Sequence, residues 1–443
     1  MRRLTPVLPV LVMAAIGLVL AGMAKSASAQ PITMTIVGPS SVSPIAISGL
    51  KNLGGDDQQT LSSHFVSTLS RDLRLSGYFR IINPHAYIED PQKSGYELGK
   101  FNFADWQSIN AEFLVKGAIE NKKGKVSLTA MLFDVGSQRR MMGKRFTGAP
   151  GDVREMGRRF ADAVLKSVTG IPGPFGAKLA YVSTRAGRFK EVYISYPDGG
   201  DLFQVTNNAT INLFPAFDHG AKHLLYLSYK SGEPALYLVN LAAKRETRIT
   251  SARGKMVGGA LTPDGRRIVA AIERGGSTNL YLLDNSGTEI RPLTRGAAIN
   301  VSPSLSADGS QVAFTSDRSG RPQIYVMPLS GGDARRITYS GSYNTAPAFS
   351  PDGSKIAYES RTDGSFDIYV IPAAGGQPLR LTNGGGNESP CWSPDGRYIV
   401  FSSTRGGRSR IYLMQANNGN IISALTEDNG NDFSPAWSWW LAD

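Results

Sequence analysis

The sequence predicts an α/β N-terminal domain followed by an all-β six-bladed β-propeller that is closed by the C-terminal strand. Three observations support this fold class. From about Leu179 onward, one sequence phrase returns roughly every 44 residues, in six copies. Each copy has four short apolar runs separated by turn signals, which is typical of a four-stranded antiparallel blade. The region before the repeat instead mixes helical and strand periodicities, which indicates a separate α/β domain.

The chain begins with the features of a cleaved export signal, placed at residues 1–29. Arg2 and Arg3 precede an apolar run, and Ala27-Ser28-Ala29 forms a small-residue cleavage motif. The apolar run is short and contains proline and glycine, which disfavours a retained membrane anchor. These features predict an exported protein. No cysteine follows the cleavage motif, so a lipid anchor is not expected.

Residues 30–170 predict the α/β domain. Apolar residues recur at helical spacing from Leu61 and again just after Asp152, a candidate N-cap. Lys122-Lys123-Gly124 has the composition of a hairpin turn. The strand-like runs of this domain are 78–82, 113–119, 126–135 and 145–147. The segment from Gln30 to about Gly38 also has strand character, either as an edge strand or as a detachable arm.

Residues 171–176 are rich in proline and glycine and predict the linker, so that residues 177–443 form the propeller. In each repeat the first strand, strand A, carries a large ring or Leu. A Pro-Asp-Gly turn leads to strand B in three copies, and a fourth copy, Ser306-Ala307-Asp308-Gly309, lacks only the proline. The turn at Asp218-His219-Gly220-Ala221 departs most from this pattern. A threonine closes the fourth run of every copy: Thr206, Thr250, Thr294, Thr338, Thr382 and Thr426.

The phase of the repeat predicts how the ring closes. The first copy starts at a strand B, beginning at Leu179, and the last copy stops after a lone strand A around Trp437. The C-terminal strand therefore completes the first blade, which removes two exposed sheet edges.

The formal charge of +12 does not indicate a nucleic-acid partner. Three of these charges, on Arg2, Arg3 and Lys25, belong to the predicted signal, so the mature excess falls by three to +9. An exported protein does not meet nucleic acid. One local basic cluster, Arg139 to Arg145, is either a solvated strand end or a contact for an acidic partner or anionic surface.

Motifs of enzymatic or metal chemistry are missing from the sequence. It contains no Gly-x-Ser-x-Gly elbow, phosphate-binding loop, His-Glu-x-x-His motif or cysteine pair. His219 and His223 flank a turn and are better explained as turn and strand residues than as metal ligands. The run from Asp428 to Asp432 resembles a calcium loop but lacks the downstream glutamate. Cys391 is the lone cysteine and predicts an inert thiol. We therefore expect no enzymatic activity.

One polar series emerges when the repeats are aligned. It stands three residues before the strand A proline, and its members are Asn212, Met256, Asn300, Asn344, Asn387 and Asp432, with methionine as the exception. Strand A lines the channel of a propeller, so the series is expected at one mouth. Two interpretations are open and compatible: the side chains cap the turn that enters strand A, or they form a polar funnel for a partner together with Tyr343, Thr345 and Glu388.

The whole chain resembles the TolB family, the periplasmic components of Tol-Pal systems. The resemblance rests on the signal, the N-terminal domain, the Pro-Gly linker and the six repeats ending in Phe433-Ser434-Pro435-Ala436-Trp437. It implies an adaptor, expected as a monomer, that supports outer-membrane integrity and constriction at cell division. It also implies that the channel can hold calcium, without assigning ligands, whereas the residues themselves predict no cofactor.

The resemblance implies two protein partners. The outer-membrane lipoprotein Pal is expected at the propeller mouth, on Asn212, Met256, Asn300, Tyr343, Asn344, Thr345, Asn387, Glu388 and Asp432. The inner-membrane protein TolA is expected on the segment Gln30, Pro31, Ile32, Thr33, Met34, Thr35, Ile36 and Val37. The alternatives are the propeller of a secreted peptidase-like protein, which would need a hydrolase domain, or a glycan-binding propeller.

Overall fold

The computed structural model of the protein describes residues 42–249, 254–362, 364–427 and 429–440. The predicted signal, the segment Gln30–Val37, Thr250 and Asp428 lie outside the described residues. The N-terminal elements are β1 (Ser43–Ile47), β2 (Lys51–Gly55), α1 (Gln58–Leu75), β3 (Phe79–Ile81), α2 (Phe103–Gln107), β4 (Phe113–Lys122), β5 (Lys125–Asp134), β6 (Arg139–Gly148) and α3 (Val153–Thr169). No described helix is both long and apolar enough to cross a membrane.

These elements form a six-stranded sheet in the order β3-β1-β4-β5-β6, with β2 also paired to β4. Helices α1 and α3 pack against one face through buried side chains such as Phe65 and Phe160, whose rings lie 6.0 Å apart. The predicted hairpin is confirmed, because Lys122 pairs with Lys125 across a two-residue turn. Asp152 precedes α3 as predicted, but its side chain does not cap the helix and instead accepts from the Ala149 N–H at 2.7 Å.

The propeller follows as six four-stranded sheets, which confirms the predicted fold class. Blade 1 contains β7 (Leu179–Ser183), β8 (Glu191–Ser195), β9 (Phe203–Gln204) and the C-terminal β30 (Asp432–Trp437), and blade 2 contains β10 (Asn212–Phe217), β11 (His223–Ser228), β12 (Ala235–Asn240) and β13 (Arg245–Ile249). Blade 3 contains β14 (Lys255–Leu261), β15 (Arg267–Arg274), β16 (Ser277–Asp284) and β17 (Glu289–Pro292), and blade 4 contains β18 (Asn300–Leu305), β19 (Gln311–Ser316), β20 (Gln323–Pro328) and β21 (Arg335–Arg336). Blade 5 contains β22 (Asn344–Phe349), β23 (Lys355–Thr362), β24 (Ser365–Pro372) and β25 (Leu379–Arg380), and blade 6 contains β26 (Asn387–Trp392), β27 (Tyr398–Gly406), β28 (Arg408–Gln415) and β29 (Ile421–Ala424).

The C-terminal strand closes the ring as the repeat phase predicts. Strand β30 pairs antiparallel with β7, with Asp432 opposite Ser183 and Trp437 opposite Leu179. Beyond β30, the Ser438 N–H donates to the Lys178 carbonyl at 2.8 Å. Trp439 stacks on His219 of the unusual turn in blade 2, with ring centroids 3.8 Å apart. Burial in this contact lowers the pKa of His219 to about 4, so the imidazole stacks in its neutral form.

The N-terminal domain contacts the turns at one end of the blades. Arg158 of α3 bonds to Asp198 and Asp201 in the turn after β8, with Nε to Asp198 Oδ2 at 3.1 Å. The Tyr398 hydroxyl, at the start of β27, donates to the Ser76 carbonyl at 2.7 Å. Within a blade, these turns join strand A to strand B or strand C to strand D. The loops that enter strand A leave from the other end of each antiparallel blade, so the N-terminal domain does not cover them.

Candidate partner-binding site

The polar series lies at the start of each strand A, and the structure buries it. Every member, Met256 included, has at most 2% of its surface exposed. In this state their side chains are therefore not available for a partner to contact directly. Of the two interpretations from the sequence, the geometry supports the structural role, in which the asparagines organise the loops of the mouth.

Asn387 shows how the series works. Its Nδ2 donates to Asp367 Oδ1 and to the Gly384 carbonyl, both at 2.9 Å. Asp367 Oδ1 also accepts from the Thr382 hydroxyl at 2.8 Å, and that hydroxyl accepts from the Ile368 N–H at 2.8 Å. One buried network thus joins strand C and the end of one blade to strand A of the next. It also explains the repeated threonine.

The network recurs with different partners on strand C. Asn212 donates to Glu191, Asn300 to Asn279 and Asn344 to Gln323. In the copy that carries Met256, the equivalent strand C residue is Ala235, and both side chains are buried. Where the asparagine is missing, its polar partner is therefore missing too. This substitution keeps the buried position free of unpaired polar groups.

The sequence reasoning missed a second series of residues. Each member stands two positions after the strand B residue that pairs with the polar-series residue of the same blade. Five of the six are cations, namely Arg185, Lys230, Arg274, Arg318 and Arg405, and the sixth, in blade 5, is Thr362. Each cation lies over aromatic rings of its own blade; Lys230 Nζ, for example, is 3.9 Å from the Tyr237 centroid. Arg318 and Arg405 also donate to the asparagines Asn300 and Asn387, at 2.8 and 2.7 Å. The signal was available as a recurring Ser-x-Arg/Lys at the end of strand B.

Exposed apolar side chains occupy the same face. Ile211, Ile299 and Tyr343 each directly precede an asparagine of the series and are 41% to 48% exposed. Tyr229 is exposed beside Ile211, and its N–H donates to the Ile211 carbonyl at 3.1 Å; Phe214, in strand A of the same blade, is also exposed. We call these five residues the apolar rim. Exposed apolar residues grouped on one face are typical of a protein interaction site.

The other residues predicted at the mouth, Thr345 and Glu388, are near this rim. Tyr343 contacts Phe366 edge to face at 5.8 Å, and Glu388 is exposed. Thr345 is half-buried and donates to Glu359 Oε1 at 2.6 Å, while Glu359 Oε2 accepts from the Ser389 N–H of the next blade at 2.7 Å. Burial raises the pKa of Glu359. The mouth is therefore an apolar rim over a buried polar layer, rather than a polar funnel.

Comparisons with known protein families place the chain. Residues 165–440 match the TolB beta propeller domain, and residues 34–141 match the TolB amino-terminal domain. The chain belongs to the TolB family. This assignment agrees with the resemblance seen in the sequence.

Individual TolB relatives match more locally. The Tol-Pal system protein TolB of Desulfosudis oleivorans is 38% identical over 205 residues, which is 46% of this chain and 47% of that protein. The Tol-Pal system protein TolB of Rickettsia felis is 32% identical over 55% of this chain and 54% of that protein. The chain thus aligns with about half the length of these curated relatives. The crystal structure of TolB from Acinetobacter baumannii superposes with a TM-score of 0.77 at 26% identity, covering 90% of this chain and 97% of that one.

The resemblance to TolB implies that the propeller channel can hold calcium. Within the described residues, no group of three or more histidine, cysteine, aspartate or glutamate side chains is placed to hold a metal ion. These residues do not fit a calcium site built from several carboxylates.

The Cys391 thiol accepts from the Trp437 N–H at 3.2 Å, and burial raises its pKa to about 11, which disfavours the reactive thiolate.

The buried layer should contribute mainly to stability. We expect Asn387→Ala to destabilise the protein by about 2 kcal/mol, because Arg405 loses an acceptor and Asp367 loses a donor in a buried site. Chemical denaturation against wild type measures this loss. The control is Glu388→Ala, next in sequence but exposed, which should change stability by less than about 0.5 kcal/mol. Equal midpoints for Asn387→Ala and wild type would contradict the structural role.

Proposed function

We propose that this chain is a periplasmic adaptor of the Tol-Pal system, linking the outer-membrane lipoprotein Pal to the inner-membrane protein TolA. In this role it supports outer-membrane integrity and envelope constriction during cell division, without enzymatic activity of its own. Membership of the TolB family and relatives named as Tol-Pal system proteins support the proposal. The observation that carries it is the apolar rim on the free face of the propeller.

Pal is proposed to bind this face. Ile211, Ile299 and Tyr343 offer exposed apolar surface there, and Glu388 adds a negative charge at its edge. The asparagines act beneath this surface by holding the loops that present it. Burial of such residues by a partner would supply most of the binding free energy, whereas the polar layer would maintain the shape of the loops.

TolA is proposed to bind the segment Gln30–Val37, as the resemblance implies. This segment precedes β1, on the N-terminal side of the described domain. The two proposed partner sites therefore belong to different parts of the chain. One molecule could engage a protein of each membrane through them.

Replacement of one rim residue tests the proposed Pal site. We expect Ile299→Asp to weaken binding of purified Pal at least about tenfold, equivalent to about 1.4 kcal/mol, because a charge replaces apolar contact area. Isothermal titration calorimetry with the full mature chain measures the affinity.

Ile290→Asp is the matched control. Ile290 lies on the outer strand β17 and is 50% exposed, against 48% for Ile299. The control should bind Pal as wild type does. Unchanged affinity in Ile299→Asp, or an equal loss in both variants, would overturn the assignment of Pal to the rim.

A further inference from the structure

Strand β6 (Arg139–Gly148) forms an open edge of the N-terminal sheet. It is ten residues long and pairs with β5 alone among the described strands. Most of its side chains are exposed, and none is buried. The sequence predicted a strand only at 145–147, so the basic cluster from Arg139 to Arg145 lies within a strand rather than at a strand end. A long edge strand presents a row of unpaired backbone donors and acceptors.

The register indicates which backbone groups point outward. The two-residue hairpin places Lys122 and Lys125 in a hydrogen-bonded pair, and such pairs alternate along an antiparallel ladder. On this count, β5 residues such as Ala130 direct their backbone groups toward β6, where Ala130 is paired with Lys144. The residues between these pairs, Gly143, Arg145 and Thr147, then present their N–H and C=O groups to the free side.

Four cations accompany this backbone edge. None of the side chains of Arg139, Arg140, Lys144 and Arg145 forms a hydrogen bond or ion pair within the described part of the chain. Their strand partners place two on each face of the sheet. Arg140 and Arg145 share the face of Phe133 and Thr129, whereas Arg139 and Lys144 share the face of Asp134 and Ala130.

We propose that β6 is a docking edge for an extended acidic segment of a partner protein, which adds to the sheet as a further strand. The added backbone would bond to the outward groups of β6. Its alternating side chains would project to both faces, where acidic residues would meet one pair of cations on each. This interaction is separate from the proposed rim and from the segment proposed for TolA.

Other occupants fit less well. A flat anionic membrane would require the cations on one face, and they lie on two. A second copy of β6 would place like charges opposite one another, which opposes pairing. Residues 30–41 of the chain itself contain no aspartate or glutamate to complement the cations. Basic side chains also discourage indiscriminate pairing at an edge, which leaves it selective for acidic strands.

The proposal can be tested on the full mature chain with a fluorescent ten-residue peptide, Glu-Glu-Thr-Thr-Glu-Glu-Thr-Thr-Glu-Glu, which places glutamates on both faces of an extended strand. Fluorescence anisotropy measures binding, and hydrogen exchange measures protection of the β6 amides. We expect saturable binding, protection of the Gly143, Arg145 and Thr147 amides, and at least tenfold weaker binding by Arg140→Glu/Arg145→Glu. The control Arg245→Glu/Arg248→Glu changes two exposed arginines on the outer strand β13 and should bind as wild type does.

Two further measurements separate strand addition from simple charge attraction and from membrane binding. A peptide with proline in place of each threonine keeps the charge but loses backbone donors on both sides of the strand, whichever side faces β6, so it should bind at least tenfold more weakly. Equal binding of the two peptides, or no protection of the β6 amides, would overturn the proposal. Binding to phosphatidylglycerol vesicles that is lost in Arg140→Glu/Arg145→Glu, without peptide binding, would assign the edge to a membrane surface instead.

Discussion

Truncation of the chain after Asn431, which removes β30, is expected to open the propeller. Strand β7 would lose one of its two ladder partners, and blade 1 would lose its innermost strand. Trp437 and Ala436, both buried, would leave the cores that blade 1 shares with its neighbours. Loss of these apolar contacts and of the ladder should cost about 5 kcal/mol or more, a large share of the stability of an ordinary domain.

Calorimetry and limited proteolysis check this expectation. The truncated chain should melt at least about 10 °C lower or lose its cooperative transition, and protease should cut within the blades. Truncation after Ser438 is the control, because it keeps β30. Among the described contacts, it removes the stack of Trp439 on His219, the bond from the Ser438 hydroxyl to the Trp439 carbonyl and the bond from Trp440 to the Gly173 carbonyl. An unchanged melting temperature after loss of β30 would show that the ring does not depend on this closure.

The blades and their closure could be predicted because these properties repeat. The apolar runs recur six times and the turn from strand A to strand B recurs five times, so an irregular copy such as the one at Asp218 does not hide the pattern. In that turn the structure uses Ala221 at φ 47° where other copies use glycine, and Asp218 accepts the Lys222 and His223 N–H groups. A count that starts at a strand B and ends after a lone strand A then determined the closure.

The burial of the mouth residues could not be predicted in the same way. A repeated asparagine at a turn is compatible with both capping and binding, and only the contacts of Asn387 with Asp367 and Arg405 distinguish them. Those partners lie about 20 residues away in sequence and belong partly to another blade. Similarly, β1 pairs in parallel with β3 and β4, which are distant in sequence, so no hairpin signal marked it. Contacts that depend on tertiary packing leave little trace in local periodicity.

Arg158→Met is expected to be the most destabilising single substitution at the contact between α3 and the propeller. The Arg158 side chain is fully buried, bonds to Asp198 and Asp201, and stacks on Tyr196 at 3.8 Å. Methionine preserves much of the volume but leaves the buried Asp198 carboxylate without its cation. Removal of one partner from a buried ion pair typically costs about 3–5 kcal/mol.

Denaturation at neutral pH measures the loss, with Arg159→Met as the matched control, because Arg159 is the next residue and is exposed. The control should change stability by less than about 0.5 kcal/mol. Addition of Asp198→Asn to Arg158→Met should recover part of the loss, because the orphaned charge is removed. If Arg158→Met and Arg159→Met prove equally stable, the ion pair does not hold α3 on blade 1. If addition of Asp198→Asn gives no recovery, the lost stability comes from the stack on Tyr196 and from side-chain packing rather than from the charge.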